Sequence, residues 1–281
     1  MFLKIIPRSI KSRIREFLRN VAKQPPYYPS HGDQFSYFIS NDSKFQVNGI
    51  VVPPPALWMG YGGTPAEYLE SGKRDVDAMA RIIKKNEFDI ASAKRILDFG
   101  CAAGRMIRHL PAIAPNVEFW GTDIGADQIQ WCRDNLTPPI NFAVTTTLPH
   151  LPFCDGFFDL IYCGSVFTHI EDIEQAWLLE LGRILRPGGC LYLTIHDQHT
   201  ISRLDGDLRD CWLAKIVAQY DVYVRNKKAF NIIVVGRGEG SQVFYRDGYF
   251  KTLVPPIFDW LDHVPNAYSY QSAVILRRKD V

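Results

Sequence analysis

The sequence predicts an α/β fold: a doubly wound, mostly parallel sheet of seven strands, with an antiparallel strand at its C-terminal edge. A helical N-terminal extension and an insertion after the fifth strand complete the architecture. Three observations carry this. From residue 95 onward, short apolar runs alternate with amphipathic stretches, the rhythm of repeated βα units and hence of a parallel sheet covered on both faces. The segment "RILDFGCAAGRMIRHL", residues 95–110, runs from an apolar strand through an acid into a glycine-containing turn and a helix. The last two strands are separated by only a short link, so they pair antiparallel, because a parallel pair needs a long crossover.

Each element follows from local chemistry. Residues 1–23 hold seven Lys/Arg against one Glu, a net +6 that leaves −4 for the remainder of the chain. Ile10, Ile14, Phe17, Leu18 and Val21 recur at helical spacing with Arg13, Arg15 and Arg19 between them. Such a basic amphipathic helix either packs its apolar stripe on the body of the protein or on a second subunit of a homodimer, or lies peripherally on an anionic membrane surface. "KQPPYYPSHGDQ" ends it as a linker. Residues 1–45 thus form an extension and 46–90 a cap segment, ahead of a main domain over 91–281. In the cap, "PPPALWMGYGG" is irregular and aromatic. It precedes a helix with Thr64 as N-cap, Pro65 at its first position and Gly72 as a point where it divides in two.

In the main domain, strands are expected at 95–99, 117–122, 140–144, 158–163 and 190–195, with helices at 104–114, 126–135 and 173–185. Residues 197–245 read as the insertion, with a helix at 208–220 and a strand at 231–235. "GYFKTLVPPIFDWLDHV" then gives a helix and a strand, and "SYQSAVILRRK" the last strand.

Composition narrows the function. The 281 residues are 47% hydrophobic and 22% charged with a net charge of +2, which is ordinary globular chemistry without the basic field of a nucleic-acid binder. The six cysteines are scattered without a C-x-x-C pair, which excludes the usual zinc clusters and reads as reduced, cytoplasmic thiols. No run approaches a membrane span, and the N-terminus is too short in apolar length and too cationic for a signal peptide.

The turn at 98–104 selects among nucleotides. A P-loop is excluded because no Lys-Ser/Thr pair follows Gly104. A dinucleotide fingerprint wants G-x-G-x-x-G, whereas the spacing here is Asp98-x-Gly100-x-x-x-Gly104. A carboxylate at the strand's end repels a pyrophosphate and welcomes an ammonium. A nucleotide with a cationic amino-acid tail and no phosphate, S-adenosyl-L-methionine, fits that requirement. Asp123 ends the second strand, where an acid accepts hydrogen bonds from ribose hydroxyls. An NAD site would share Asp123, so Asp98 is the discriminating residue.

At this point the residues resemble a known family. Residues 98–104 (DFGCAAG), 121–124 (GTDI), 151–170 (LPFCDGFFDLIYCGSVFTHI) and 184–197 (ILRPGGCLYLTIHD) are similar to four successive motifs of class I S-adenosylmethionine-dependent methyltransferases. They stand in order and cover about 100 residues. The flanks 53–79 and 258–279 resemble methyltransferases found among genes for polysaccharide and glycolipid assembly. The resemblance implies that Asp98, Gly100, Cys101, Gly104 and Arg105 face the methionine moiety and that Asp123 holds the ribose. It places Ile124 against the adenine, Thr147 and Leu148 at the adenine edge, and Cys163 and Gly164 beside the cofactor. Thr147 stands where an Asp is common, and Ala102 where a Gly is frequent, which is tolerated if its φ is negative.

Methyl transfer is an in-line displacement in which the protein supplies alignment, water exclusion and, for an alcohol acceptor, a base. The expected acceptor is a hydroxyl of a sugar or another small metabolite; N-, S- or C-methylation and a catalytically silent scaffold are the alternatives. Nucleic acid is not an expected partner. His196, which ends the fifth strand, is the leading candidate for a base, with Asp197 beside it and His169 after the fourth strand. The "HDQH" stretch is not taken as a metal site, since in a loop its spacing carries little meaning. Trp58, Tyr61 and Tyr245 are candidates for contact with the substrate.

Overall fold

The computed structural model describes residues 45–136 and 139–280. The basic N-terminal segment lies outside the described residues. The chain opens with a hairpin, β1 (Phe45–Val47) and β2 (Ile50–Val52), turning at Asn48 and Gly49 with φ of +51° and +80°, the positive pair that a two-residue turn favours. Helix α1 (Pro65–Lys85) follows. Thr64 caps it in a full capping box, accepting from the Glu67 N–H at 3.2 Å while the Glu67 carboxylate accepts from the Thr64 N–H.

Helix α1 buries Tyr68, Leu69, Gly72, Asp75, Val76, Met79 and Ile83, a helical stripe laid against the sheet. Gly72 does not divide it. Its cost in a helix is offset by packing, because a Cβ there would overlap the backbone carbonyl of Arg105. Gly72→Ala is therefore expected to destabilise the fold by about 2–4 kcal/mol despite Ala's better helix propensity. Urea denaturation measures this, and a stabilised variant would contradict the close approach.

The sheet is built from β3 (Arg95–Phe99), β4 (Glu118–Asp123), β5 (Ile140–Val144), β6 (Phe158–Cys163), β7 (Leu185–Ile195), β10 (Phe258–Tyr268) and β11 (Gln271–Arg278). Between them run α2 (Leu110–Ile113), α3 (Ala126–Leu136) and α4 (Glu174–Ile184). The order is β10-β11-β7-β6-β3-β4-β5, with β3 to β7 mutually parallel and β11 antiparallel to both neighbours. The last strand enters between β7 and β10, leaving β10 outermost. Strand order reverses between β3 and β6, and in open α/β sheets ligands bind at the carboxyl ends of the strands flanking that point.

Two apolar layers sandwich the sheet. Ile96, Leu160, Tyr162, Tyr192 and Ile275 pack with Met79, Ile83 and Ile129 on one face. Leu97, Phe99, Ile161, Leu193 and Val274 pack with Trp177, Leu178 and Leu181 on the other. The alternation along each strand is the two-residue period of the pleat.

Two expected elements differ. The helix expected over 104–114 is a series of turns, a 3-10 turn Ile107–His109 and then only α2. Pro111 has no N–H to bond the carbonyl four residues earlier, so a continuous helix cannot form across it. The insertion holds α5 (Gln198–Asp205), α6 (Trp212–Val217) and α7 (Asp221–Asn226) in place of one helix at 208–220. A hairpin of β8 (Ile232–Val235) and β9 (Gln242–Tyr245) follows, and α8 (Asp247–Leu253) leads back to the sheet. Strand β9 is stitched to the main domain: the Val243 N–H donates to the Thr168 carbonyl at 2.9 Å and the Tyr245 N–H to the His196 carbonyl at 2.8 Å.

Candidate active site

A cleft opens at the β3/β6 switch point. The loop after β3 forms its floor through Asp98, Gly100, Cys101 and Ala102, Gly164 after β6 adds one wall, and Trp58, Tyr61, Tyr68 and Tyr268 close it from the cap and the edge strand. Gly100 has φ +84°, and a Cβ there would overlap the Val166 side chain. This backbone passes where no side chain fits.

Asp98 is 3% exposed and sits directly opposite Tyr162 in the β3–β6 register. Burial pushes its carboxyl up to about 7, against the pull of the Tyr162 hydroxyl, with the nearby Asp123 adding to the rise. Arg105 also pulls against the rise, but among the described residues Asp98 has no ion pair, which is what a ligand ammonium would supply. Asp123 braces the loop: Oδ2 accepts from the Ala102 N–H and Oδ1 from the Gly125 N–H, both at 2.8 Å. Each oxygen keeps a lone pair, so the carboxylate can still receive ribose hydroxyls. Burial raises its pKa as well, with these N–H groups opposing. Ile124 follows it, half-buried at the same strand end.

Arg105 is the buried cation of the cleft. It pairs with Asp75 at 2.8 Å, donates to the Ser71 hydroxyl at 3.1 Å and to the Tyr268 hydroxyl, and lies 4.0 Å from the centre of the Tyr61 ring. Burial disfavours its charge, but Tyr268, Tyr61 and Asp75 outweigh that and hold it fully protonated. Asp75 is itself raised, because burial outweighs the pull of Arg105. Cys101 and Cys163 are buried thiols pushed well above their ordinary range by desolvation, which leaves them protonated and unreactive.

Ala102 has φ +46°, opposite to the sign expected for a tolerated alanine. The Asp123 carboxylate on its N–H holds it in this left-handed region. Ala102→Gly is expected to stabilise the fold by about 1 kcal/mol by releasing that strain. Denaturant titration checks this, and an unchanged or lower midpoint would show that the loop carries none.

Of the residues singled out by sequence, Trp58, Tyr61, Asp98, Gly100, Cys101, Arg105 and Gly164 line the cleft together. Gly104, at φ +72°, supports it from behind, where a Cβ would press on Leu136 and Cys132 of α3. Thr147 and Leu148 lie on an exposed loop after β5, with Leu148 66% exposed. Tyr245 is fully buried, its hydroxyl shared among the Phe167 and Ile170 carbonyls and the Glu174 carboxylate at 3.2–3.4 Å. Tyr68, Met106 and Tyr268 line the cleft without having been singled out.

The histidines separate. His196 is buried, stacked between Phe244 and Tyr270, with Nε2 3.2 Å from the Gln242 side-chain oxygen. Burial, with His169 nearby, pushes its pKa down to about 3. Asp197 caps α5 by accepting from the Thr200 N–H at 2.9 Å, and its other oxygen lies 2.9 Å from Nε2 of His263. His169 places Nδ1 2.7 Å from the Ser241 carbonyl, which fixes that nitrogen as the donor and leaves Nε2 as an acceptor. Burial lowers its pKa too. The two "HDQH" groups nearest the strand therefore serve different partners.

The doubly wound sheet and the glycine loop flanked by Asp98 and Asp123 are similar to those of class I S-adenosylmethionine-dependent methyltransferases. Residues 97–193 match the family described as "Methyltransferase domain". The chain is 30% identical over 140 residues to the methyltransferase GfsG of Streptomyces halstedii, covering 47% of this chain and 48% of that one. It is 26% identical over 170 residues to the fatty-acid O-methyltransferase of Mycolicibacterium smegmatis, covering 60% and 58%. Among solved structures, it superposes on magnesium protoporphyrin IX methyltransferase (ChlM) from Synechocystis PCC 6803 with a TM-score of 0.52 at 13% identity, covering 80% of this chain and 92% of that one. The chain spans about half the length of the curated relatives it matches.

Proposed function

We propose that the protein transfers a methyl group from S-adenosylmethionine to a hydroxyl of a sugar or another small molecule. The observation that carries the donor half is Asp98: a buried carboxylate, raised to about 7, in a cleft whose floor has no room for a side chain at Gly100. The donor set suits the cofactor, with Asp98 for its ammonium, Arg105 for its carboxylate and Asp123 for its ribose. When bound, the cofactor supplies an electrophilic methyl on a sulfonium. The chain's own residues bind and orient it, and Tyr61 and Tyr268, edge to face at 6.0 Å, exclude water from the cleft mouth.

The acceptor half rests on the seam between the loop after β6 and the insertion. His169 is held in one tautomer by the Ser241 carbonyl, and the Ser241 hydroxyl donates back to the His169 carbonyl at 2.8 Å. A neutral imidazole fixed this way, with Nε2 as acceptor, can take the proton that an alcohol loses as the new bond forms. His196 is the weaker candidate, since a conjugate acid near pKa 3 leaves little driving force for proton removal. O-methylation also accords with the fatty-acid O-methyltransferase among the relatives.

The test is label transfer from methyl-tritiated S-adenosylmethionine to a panel of sugars, sugar phosphates and hydroxy or carboxylic acids. A hydroxyl acceptor should be labelled, and His169→Ala should lower kcat by about 10²–10³ with S-adenosylhomocysteine affinity unchanged. Label appearing only on nitrogen, sulfur or carbon would overturn the hydroxyl reading in favour of those acceptors.

A further inference from the structure

A second, open cleft of about 560 Å³ lies in the insertion, lined by Gln198, Lys228, Ala229, Phe230, Asn231 and Arg246. It shares no lining residue with the cleft at the switch point. Three segments meet there and are tied together by backbone. The Arg246 N–H donates to the Asn231 carbonyl, and the Asp247 N–H to the Gln198 side-chain oxygen, each at 2.9 Å. Both walls begin at the carboxyl end of β7, since Gln198 opens α5 just after it and Arg246 follows the strand bonded to the His196 carbonyl.

The lining of this cleft carries two cations and no acid. Three cations of the insertion are neutralised locally: Arg203 by Asp207 at 2.7 Å, Arg225 by Asp221 at 2.8 Å and Lys227 by Asp205 at 2.5 Å. Lys228 and Arg246 have no carboxylate within ion-pair distance among the described residues, and no acid is among the lining residues. Two cations left free in one concavity form a site for a compact anion. A guanidinium adds the planar, two-pronged donor geometry that phosphoryl oxygens accept. Phe230, half-buried beside them, offers a ring face, and the amides of Asn231 and Gln198 offer neutral donors.

We infer that this cleft binds a phosphoryl-bearing small molecule, with the phosphoryl group between Lys228 and Arg246 and an attached ring against Phe230. The inference does not rest on methyl transfer and is tested by binding alone.

Calorimetry on the full chain with inorganic pyrophosphate and with uridine diphosphate as probes decides it, with S-adenosylhomocysteine titrated in parallel. The expected result is binding of both probes, weakened about tenfold or more in the Lys228→Ala/Arg246→Ala double variant and by added salt. S-adenosylhomocysteine affinity should be unchanged there, which shows that the variant is folded. Phe230→Ala should weaken uridine diphosphate and spare pyrophosphate. No binding by the wild type at about 5 mM, where even a weak site of millimolar dissociation constant is mostly filled, would overturn the inference. Equal affinity in the double variant would overturn it as well. Wild type that binds both probes and fails to bind S-adenosylhomocysteine would leave this inference standing and count against the donor site.

Discussion

Asp98→Asn is expected to make the protein more stable and to cost it the methyl donor. In the folded state the Asp98 carboxyl is held at about 7, well above an unfolded aspartate, because burial penalises its charge. A carboxyl raised in this way gives the folded state extra proton binding between about pH 4 and pH 7. Its stabilising contribution is present at low pH and is lost as pH rises through about 7. An asparagine fills the same space without the charge, so at pH 8 the variant should gain about 1–3 kcal/mol over the parent, with the gain disappearing near pH 4. The same change removes the counter-charge for a ligand ammonium, a charge-assisted bond whose loss weakens binding by about 10²-fold. Urea melts at the two pH values and calorimetric titration of S-adenosylhomocysteine read the two effects separately. A variant that binds as tightly as the parent would show that Asp98 does not face the cofactor's ammonium.

The second large effect concerns the support of the cleft. Arg105 and Asp75 are both buried, and their 2.8 Å pair joins α1 to the loop after β3. Removing one partner of such a pair leaves the other charge uncompensated in a low-dielectric setting, which costs about 3–5 kcal/mol. Asp75→Ala should therefore lower the denaturation midpoint by that amount. It should also weaken cofactor binding, because the guanidinium that lines the cleft loses one of its restraints. Asp75→Asn, which keeps a hydrogen-bond acceptor, should recover part of both losses. A neutral effect of Asp75→Ala would mean that Tyr268, Ser71 and Tyr61 hold Arg105 without it.

What the sequence discloses about this protein is local or periodic. Strands β3, β5 and β6 stand at the residues that their apolar runs indicate, and the capping box at Thr64 is readable from Thr64 and Glu67 alone. Asp98, Gly100, Arg105 and Asp123 were legible because a βα turn places them by chain order. The β1–β2 hairpin carries its own signal in the Asn48–Gly49 pair between short apolar runs. Other features depend on residues far apart in sequence. Tyr268 reaches the cleft only because the closing hairpin folds β10 back along the sheet, 163 residues from its partner Arg105. The His263–Asp197 contact is likewise made across 66 residues. The positive φ of Ala102 is imposed by Asp123 on the neighbouring strand, a constraint absent from the segment's own sequence. Gly72 reads as a helix breaker in the sequence because its tertiary neighbour, the Arg105 carbonyl, is invisible in the helix.

The central claim is that the cleft at the switch point is built for S-adenosylmethionine, and thermal melting of the full chain with S-adenosylhomocysteine tests it most directly. Ligand at about 100 times its dissociation constant should stabilise the fold by roughly 2.7 kcal/mol, a rise of a few degrees in Tm, with no comparable rise for NAD or NADP. An unmoved Tm at millimolar S-adenosylhomocysteine, or a shift with the nicotinamide nucleotides in its place, would contradict the account.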